Sequence, residues 1–310
     1  MSKIIWMVLL VSSSGFAQTM STGVDVGPAA PGNASKTSVV EILGNKKFRD
    51  DHEITDAKLR ADSGSLSRYS LKASLGYQGA AVGEMNSPNL PNVDNSPGTY
   101  KTSLRGTMAG RYRLDPHSAL NFGTGISALT PMQGVERTDV SNPFLSYDRT
   151  ARIGDFQSRN SLGFSLITNP DYTKLGETNS IGYDTSWVYN LGTSRYSVGL
   201  DVGLNYFIFD RRYEPSDHPR TQRYTMGLFP QLKYNVSDRL DISTSVAVML
   251  FNPRVKQDQT TLWNKSVGER IGFGYAFTRD IYFAPYLSLY PEELSSDTTT
   301  FNFTTIFSVL

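Results

Sequence analysis

The sequence predicts an all-β fold, an antiparallel up-and-down transmembrane β-barrel of about 12 strands. Three observations lead to this prediction. From about residue 67 to residue 310, apolar and polar residues alternate with a period of two over long segments. Short polar turns and longer polar stretches alternate between these segments, and many of the 17 Tyr and 16 Phe cluster near the ends of the apolar faces. Because successive strand side chains point to opposite faces, each segment has one apolar and one polar face.

The overall composition excludes some classes of protein. The 310-residue chain carries 30 basic and 29 acidic residues, a net charge of +1, and this balance argues against nucleic acid as a partner. The chain has no cysteine, so it has neither a lipid-anchored cysteine nor a disulfide. Hydrogen bonding and packing must therefore stabilise the fold outside the reducing compartment.

The first 17 residues have the features of a secretory signal peptide. A single cation, Lys3, precedes an apolar run from Ile4 to Val11, and small residues lead up to a cleavage position after Ala17. The run is shorter than the roughly 20 residues that a membrane-spanning helix needs. The alternative is a buried N-terminal strand.

Residues 18–66 lack the period-two alternation and form a separate segment. Their first part is rich in Pro, Gly and small polar residues, which is typical of a linker, and their second part mixes both charges. Thr55 is the predicted cap of a short helix that stops at Gly64. The segment is either a plug inside the barrel, a periplasmic docking segment, or a mobile tail with one fluctuating helix, and the sequence alone favours the tail.

The alternating segments are the predicted strands of the barrel, which occupies residues 67–310. Most have about 10 or more residues, the length that a tilted strand needs to cross a bilayer. In chain order they lie near 68–80, 100–112, 120–128, 143–153, 162–166, 181–191, 196–208, 228–234, 240–250, 271–277, 281–289 and 298–310.

Three residues fit this pattern poorly. Segment 143–153 alternates weakly because Arg149 falls on its apolar phase, yet an even strand number requires this segment. Pro230 and Pro285 fall inside predicted strands, where each removes a backbone donor. We expect both prolines to lie at bulges or near a rim of the barrel.

The connections between the strands alternate in length. The predicted tight turns are 115–118, 154–156, 192–195, 236–239 and 278–280. The predicted long loops are 82–98, 131–142, 169–179, 210–222, 251–262 and 291–298. Short turns on one side and long loops on the other are typical of barrels whose turns face the periplasm.

In these features the chain resembles the Gram-negative outer-membrane β-barrel proteins. The resemblance implies an outer-membrane location, contact with lipid, and recognition of the last strand by the β-barrel assembly machinery. In that family the final residue is usually an aromatic with apolar residues at alternate positions before it. Here Leu310 is last and Phe301, Phe303, Phe307 and Val309 lie in the opposite phase. We expect this last strand to pair with the first, because an open edge would leave unpaired backbone groups in hydrocarbon.

The polar phase of the strands predicts which charged side chains line the lumen. The candidates for controlling selectivity are Lys72, Lys101, Arg105, Arg111, Arg113, Arg152, Arg159, Asp184, Asp201, Arg223, Lys233, Asp241 and Arg270. Asp148 also falls on the inward phase. Basic residues outnumber acidic ones, so an aqueous lumen would concentrate anions. The alternative is that these charges pair across the lumen and brace a nearly closed barrel.

Three functions are compatible with the sequence. The first is a passive channel for small anionic or polar solutes, without a cofactor, metal or enzymatic activity. The second is a non-conducting anchor that presents extracellular loops. The third and most remote is an outer-membrane hydrolase, which needs a His–Ser pair on adjacent strands. The three histidines, His52, His117 and His218, fall instead in the N-terminal segment, in a turn and in a loop.

Overall fold

The computed structural model describes residues 53–93, 100–210, 222–253, 263–264 and 267–309, which form a closed antiparallel barrel of twelve long strands. The predicted signal peptide and residues 18–52 lie outside these ranges, as do Leu310 and parts of three predicted loops. Within these ranges, no helix is long and apolar enough to cross a membrane.

The strands follow the predicted order. Their bounds are β1 Tyr69–Ala81, β2 Ser103–Asp115, β3 Ser118–Leu129, β4 Arg137–Ile153, β5 Phe156–Leu166, β6 Glu177–Asn190, β7 Tyr196–Phe209, β8 Gln222–Asn235, β9 Leu240–Pro253, β10 Trp263–Asn264, β11 Gly268–Thr278, β12 Ile281–Leu289 and β13 Thr300–Val309. The two-residue β10 pairs with the end of β9 and is not one of the twelve barrel strands. Two short helices, α1 (Ala57–Ser63) and α2 (Pro170–Thr173), complete the described elements together with two single 3-10 turns.

The barrel closes between its first and last strands, as predicted. β13 pairs antiparallel with β1, with Leu71 opposite Val309, and β8 pairs with β9 on the far side of the sheet. Among the twelve described barrel strands, closure leaves no strand without a partner on either side, which is the condition for placing strands in hydrocarbon. We call the end of the barrel that carries the short β2–β3, β4–β5, β6–β7, β8–β9 and β11–β12 connections the turn end, and the opposite end the loop end.

The weakly alternating segment is a barrel strand, and it is longer than predicted. β4 begins at Arg137, so the predicted loop 131–142 shortens to about half its length. The ladder shifts register near Asn142, whose φ of 54° lies in the left-handed region and whose side chain accepts the backbone N–H groups of Thr168 and Asn169. Arg149 pairs with the first residue of β3, so its charge lies at the turn end, where a long side chain reaches water.

The two prolines do not lie where we expected them. Pro230 is opposite Leu200 and Pro285 is opposite Phe303, and both lie in the middle of their strands. Neither ladder shifts register there, so the expectation of bulges or rim positions is wrong. The reason is that each proline keeps a regular ladder with one neighbour. On the other side, the proline is not paired with the neighbouring strand. Pairing with β9 stops at Leu228 and resumes at Gln231 in β8, and pairing with β11 stops at Phe283 and resumes at Tyr286 in β12.

The outer face of the barrel is apolar and exposed. Large side chains on the predicted outward phase include Leu71, Phe122, Leu145, Leu162, Phe164, Ile181, Leu204, Ile242, Phe273 and Phe307. Tyrosines lie at both limits of this surface: the Tyr196 and Tyr234 rings meet at 5.1 Å near the turn end, and Tyr206 pairs with Tyr224 near the loop end. At about 3.3 Å per residue and a tilt of about 40°, the strand from Tyr196 to Tyr206 rises about 25 Å, the height of an outer-membrane apolar band.

Candidate functional site

Helix α1 lies inside the barrel at its turn end. Its Lys58 Nζ donates to Asp201 of β7 at 2.7 Å, and Lys233 of β8 donates to Asp56, which precedes the helix. Residues of α1 also contact β4 and β5 on one wall and β11, β12 and β13 on another. A helix that touches opposite walls of one barrel must occupy its lumen.

The local sequence explains where α1 begins and ends. The Asp56 carboxylate accepts the backbone N–H of Leu59 at 2.9 Å, so Asp56 is the N-cap and not the predicted Thr55. The helix ends at Gly64, as predicted, with a φ of 67° that favours glycine. Thr55 has a different role, because its backbone N–H and hydroxyl bond to the Gln157 side chain of β5.

Apolar contacts fix α1 on two sides. Leu59 packs with Ile54 and with the inward side chain of Val188. Ala61 packs with Ala276, Tyr282 and Ile306, which also point into the lumen. These contacts remove Leu59 and Ala61 almost completely from solvent.

The chain on either side of α1 is bonded to the turn end of the barrel. The Arg113 guanidinium donates to the carbonyls of Ser63, Gly64 and Ser65 at 2.7 to 3.1 Å. At the other end of the segment, Arg152 donates to the Glu53 carbonyl at 2.9 Å, and Arg279 pairs with the Glu53 carboxylate. The expectation of a mobile tail is therefore wrong for residues 53–66, because buried ion pairs and hydrogen bonds hold them in the lumen.

The sequence contains a signal for this plug that the period-two analysis missed. Val188, Ala276, Tyr282 and Ile306 are apolar or aromatic residues on the polar phase of their strands. An inward apolar residue in a wet lumen needs an apolar partner. In the structure all four are almost completely buried, in the two clusters that contain Leu59 and Ala61 of α1.

A second buried group, which we call the Asp148 cluster, lies on the wall beside α1. The Asp148 carboxylate contacts Lys72 of β1 at 3.0 Å and both Arg111 of β2 and Arg159 of β5 at 3.2 Å. It also accepts the Ser161 hydroxyl at 2.7 Å. One carboxylate thus contacts three cations from three other strands, and all four charged side chains are buried.

On the loop side of α1 the lumen widens into a cavity of about 360 Å³. Ten of the twelve barrel strands contribute to its lining. Its charged lining residues are Lys58, Arg105, Arg159, Asp184, Asp201, Lys233 and Arg270. Glycines and small polar residues, such as Gly76, Gly203, Thr225 and Ser245, form much of the remaining wall.

The structure divides the predicted lumen residues into distinct environments. Lys72, Arg111 and Arg159 belong to the Asp148 cluster, Arg113 and Arg152 bind the N-terminal segment, and Asp201 and Lys233 bind α1 or its cap. Asp241 accepts the hydroxyl of Tyr282 at 3.1 Å. Arg105, Asp184 and Arg270 line the cavity.

Two predicted lumen residues lie near the loop end. Lys101 precedes β2, and its exposed side chain pairs with Glu136 of the next loop, so its assignment to the lumen wall is wrong. The reason is that β2 begins at Ser103, three residues later than the alternation predicts. Arg223 is the second residue of β8, beyond the residues that line the cavity.

Asp62 makes the docking of α1 sensitive to pH. Neither of its carboxylate oxygens has a hydrogen-bond partner among the described residues, and the side chain is fully buried. Burial, helped by the charge of Asp201, raises the pKa of Asp62 to about 6 against the attraction of Arg159, Lys58 and Lys72. The docked helix therefore binds a proton more tightly than the undocked helix does.

We expect the docking of α1 to strengthen as the pH falls from about 6 toward 4, and to be weakest and independent of this group above about pH 6. Protection of the α1 backbone amides from hydrogen exchange, corrected for the intrinsic rate at each pH, measures this effect. In Asp62→Asn, which cannot ionise, the protection should stay the same between pH 5 and pH 8. A wild-type protein with equal protection at both values would contradict this assignment.

One histidine lies in the described part of the chain. His117 occupies the tight turn between β2 and β3, as predicted, and its carbonyl accepts the backbone N–H of Thr150. His52 and His218 lie outside the described residues.

Comparison with known proteins finds structural similarity to solved outer-membrane proteins. No protein-family model matches the chain, and no curated protein does. An outer membrane channel from Pseudomonas putida F1 is 12% identical, with a TM-score of 0.49 over 80% of this chain and 98% of that one. The NanC porin is 6% identical, with a TM-score of 0.40 over 77% and 98%. Outer membrane phospholipase A from Escherichia coli is 12% identical, with a TM-score of 0.34 over 77% and 94%.

The closed wall of twelve strands, its apolar outer face and its tyrosine girdles together determine the class of protein. An apolar surface around a whole barrel is stable only in lipid, and a barrel of this kind is typical of the outer membrane. The chain is an outer-membrane β-barrel protein.

Proposed function

We propose that the barrel is a passive channel for small polar or anionic solutes, and that helix α1 limits passage through it. The cavity on the loop side of α1 is the observation that carries this proposal. A barrel that served only as an anchor would gain packing energy from a filled interior, yet here glycines and small polar residues leave about 360 Å³ open.

The charges of the lining favour anions over cations. Five basic residues line the cavity against two acidic ones. Lys58 and Lys233 each contact one carboxylate, whereas Arg159 shares Asp148 with Lys72 and Arg111, so a net positive charge remains. Arg105 and Arg270 lie near the loop end, where an entering solute meets them first. A charged wall around a narrow aqueous path raises the local concentration of counter-ions.

We expect wild-type protein in a planar bilayer to give discrete conductance steps, with a reversal potential that favours anions in a salt gradient. Arg105→Glu and Arg270→Glu should each shift the reversal potential toward cation preference, because each reverses one charge in the lumen. The matched control is Arg195→Glu, which makes the same charge change in the exposed β6–β7 turn and should leave the reversal potential unchanged. Equal shifts in all three variants would contradict a role for the lumen arginines.

One observation favours a non-conducting anchor as the second candidate. Helix α1 and the Asp148 cluster fill the turn end of the lumen with buried, paired charges. If the protein carries no current at high load, even after α1 is released from the wall, then the anchor is the better description.

The hydrolase stays the remote alternative, and we propose that the chain is not an enzyme. A barrel lipase needs a histidine on a strand face beside a serine, whereas His117 lies in a turn. Hydrolysis of lipid or peptide by the purified protein, abolished by His218→Ala, would contradict this proposal.

A further inference from the structure

We propose that the lumen contains a binding site for small organic carboxylates, formed by Arg270 of β11 with the rings of Phe229 of β8 and Tyr286 of β12. We call these three residues the arginine–aromatic site. This proposal rests on the proposed function, because a solute would reach the site through the channel. It adds the chemical class of solute that the lumen selects.

Two aromatic rings hold the Arg270 side chain. Its guanidinium carbon lies 5.1 Å from the centroid of the Phe229 ring and 5.4 Å from that of Tyr286, both within the range of cation–π attraction. The two rings come from strands on opposite sides of β11. Tyr286 lies on the adjacent strand β12, and Phe229 lies on β8, which is separated from β11 by β9. The two rings therefore position the Arg270 side chain without neutralising its positive charge.

The hydrogen-bond donors of Arg270 remain available to a solute. Within the part of the chain that the structure describes, no carboxylate pairs with Arg270 and no acceptor takes a hydrogen bond from it. This distinguishes it from Arg111, Arg113 and Arg159, whose donors contact protein oxygens. A planar guanidinium with free donors binds the two oxygens of a carboxylate at once.

Polar side chains lie beside Arg270 at the same height in the barrel. Gln231 of β8 is opposite Ser245 of β9, Ser245 is opposite Arg270, and Arg270 is opposite Ser288 of β12. Gln231, Ser245 and Arg270 line the cavity. The hydroxyl of Ser245, the residue opposite Arg270, can donate to an outer lone pair of a bound carboxylate, whereas the Gln231 amide lies over Gly199 of β7.

A glycine makes room for the aromatic part of the site. A Cβ atom at Gly227 would lie 2.7 Å from a ring carbon of Phe229 and 3.1 Å from the sulfur of Met249. The Phe229 ring therefore lies against the wall over Gly227, where it offers an apolar surface to the lumen without closing it. The same closeness predicts that any side chain at position 227 would displace the ring.

This combination selects one class of anion. A carboxylate gains two parallel charge-assisted hydrogen bonds from Arg270, whereas chloride is a single atom and cannot offer two acceptors in that parallel geometry. An apolar or aromatic body on the carboxylate gains contact with Phe229 and Tyr286. The site therefore favours carboxylates such as benzoate over both inorganic anions and uncharged aromatic molecules.

The test is direct binding to the purified full chain in detergent. Benzoate is titrated by calorimetry and by saturation-transfer NMR, with acetate, chloride and benzyl alcohol as reference probes. We expect benzoate to bind about tenfold more tightly than chloride or benzyl alcohol, the ratio that one charge-assisted hydrogen bond supplies. Displacement of benzoate by an equal concentration of chloride would overturn the proposal.

Three variants assign the binding to the site. Arg270→Gln should lower the affinity for benzoate by about tenfold or more. Arg270→Lys should keep only part of the wild-type affinity, because an ammonium lacks the bidentate geometry. Phe229→Leu should lower the affinity for benzoate and leave the affinity for acetate unchanged. Arg195→Gln, in an exposed turn, is the matched control and should bind like wild type. Unfolding temperature, measured on each variant, ensures that a loss of binding does not reflect a loss of the barrel.

The outcomes separate this site from the proposed channel. Benzoate binding that depends on Arg270, in a protein that carries no current, would contradict the channel and support the site. Anion-selective current in a protein that binds benzoate no better than its Arg270→Gln variant would support the channel and overturn the site.

Discussion

Replacing Asp148 with alanine is expected to lower the free energy of unfolding of the barrel by about 3–5 kcal/mol, the usual cost of removing one partner from a buried ion pair. The cost is large because Lys72, Arg111 and Arg159 all depend on this carboxylate and are themselves buried. Without it, three like charges from β1, β2 and β5 lie buried beside one another. Ser161 also loses the acceptor of its hydroxyl.

A urea titration of the protein in detergent, followed by tryptophan fluorescence, measures this loss. The matched control is Asp171→Ala, which removes a carboxylate from an exposed pair with Arg137 and should cost less than about 1 kcal/mol. Equal midpoints for Asp148→Ala and Asp171→Ala would show that the Asp148 cluster does not brace the wall.

The double variant Asp56→Ala and Lys58→Ala is expected to raise the single-channel conductance several-fold. These two side chains connect α1 to Lys233 and Asp201, and Asp56 also caps the helix, so both docking and helix formation weaken. Both changes lie on the N-terminal segment and leave the barrel strands intact. A helix of about 10–12 Å in diameter that leaves the turn end would open most of the path it occupied.

An introduced cross-link gives the control for this experiment. The chain has no cysteine, and Ala61 of α1 packs in the same cluster as Ala276 of β11. Adding Ala61→Cys and Ala276→Cys to the double variant should return the conductance to the wild-type level when oxidised, and reduction should raise it again. If neither the double variant nor the cross-link changes the single-channel conductance, α1 does not limit passage.

The strand pattern was predictable because a bilayer imposes it on every segment separately. Lipid outside and water inside require alternation along each strand, so Tyr196–Phe209 and Thr300–Val309 were predicted without knowledge of their neighbours. Exceptions to the alternation depended on position. Arg149 is tolerated because it lies at the turn end, and Pro230 because the ladder with β7 continues past it.

The candidate site was predicted only in part. The alternation places Arg105, Asp184 and Arg270 on the inward face, and in the structure these three residues line the cavity. It cannot distinguish Arg270, held by aromatic rings, from Arg111, held by a carboxylate, since both are arginines on a polar phase. That difference depends on which side chains neighbouring strands bring to the same height.

By itself, the sequence determined a closed barrel with an apolar outside, a polar lumen, short turns at one end and long loops at the other. These features are repeated along the chain, and each follows from local alternation and turn chemistry. Only the tertiary structure decided that α1 enters the lumen, that Asp148 contacts three cations, and that Arg270 lies beside two aromatic rings. The physical reason is that strand register and barrel closure bring together residues far apart in the chain, and the partners of a buried charge decide whether it braces the wall or binds a solute.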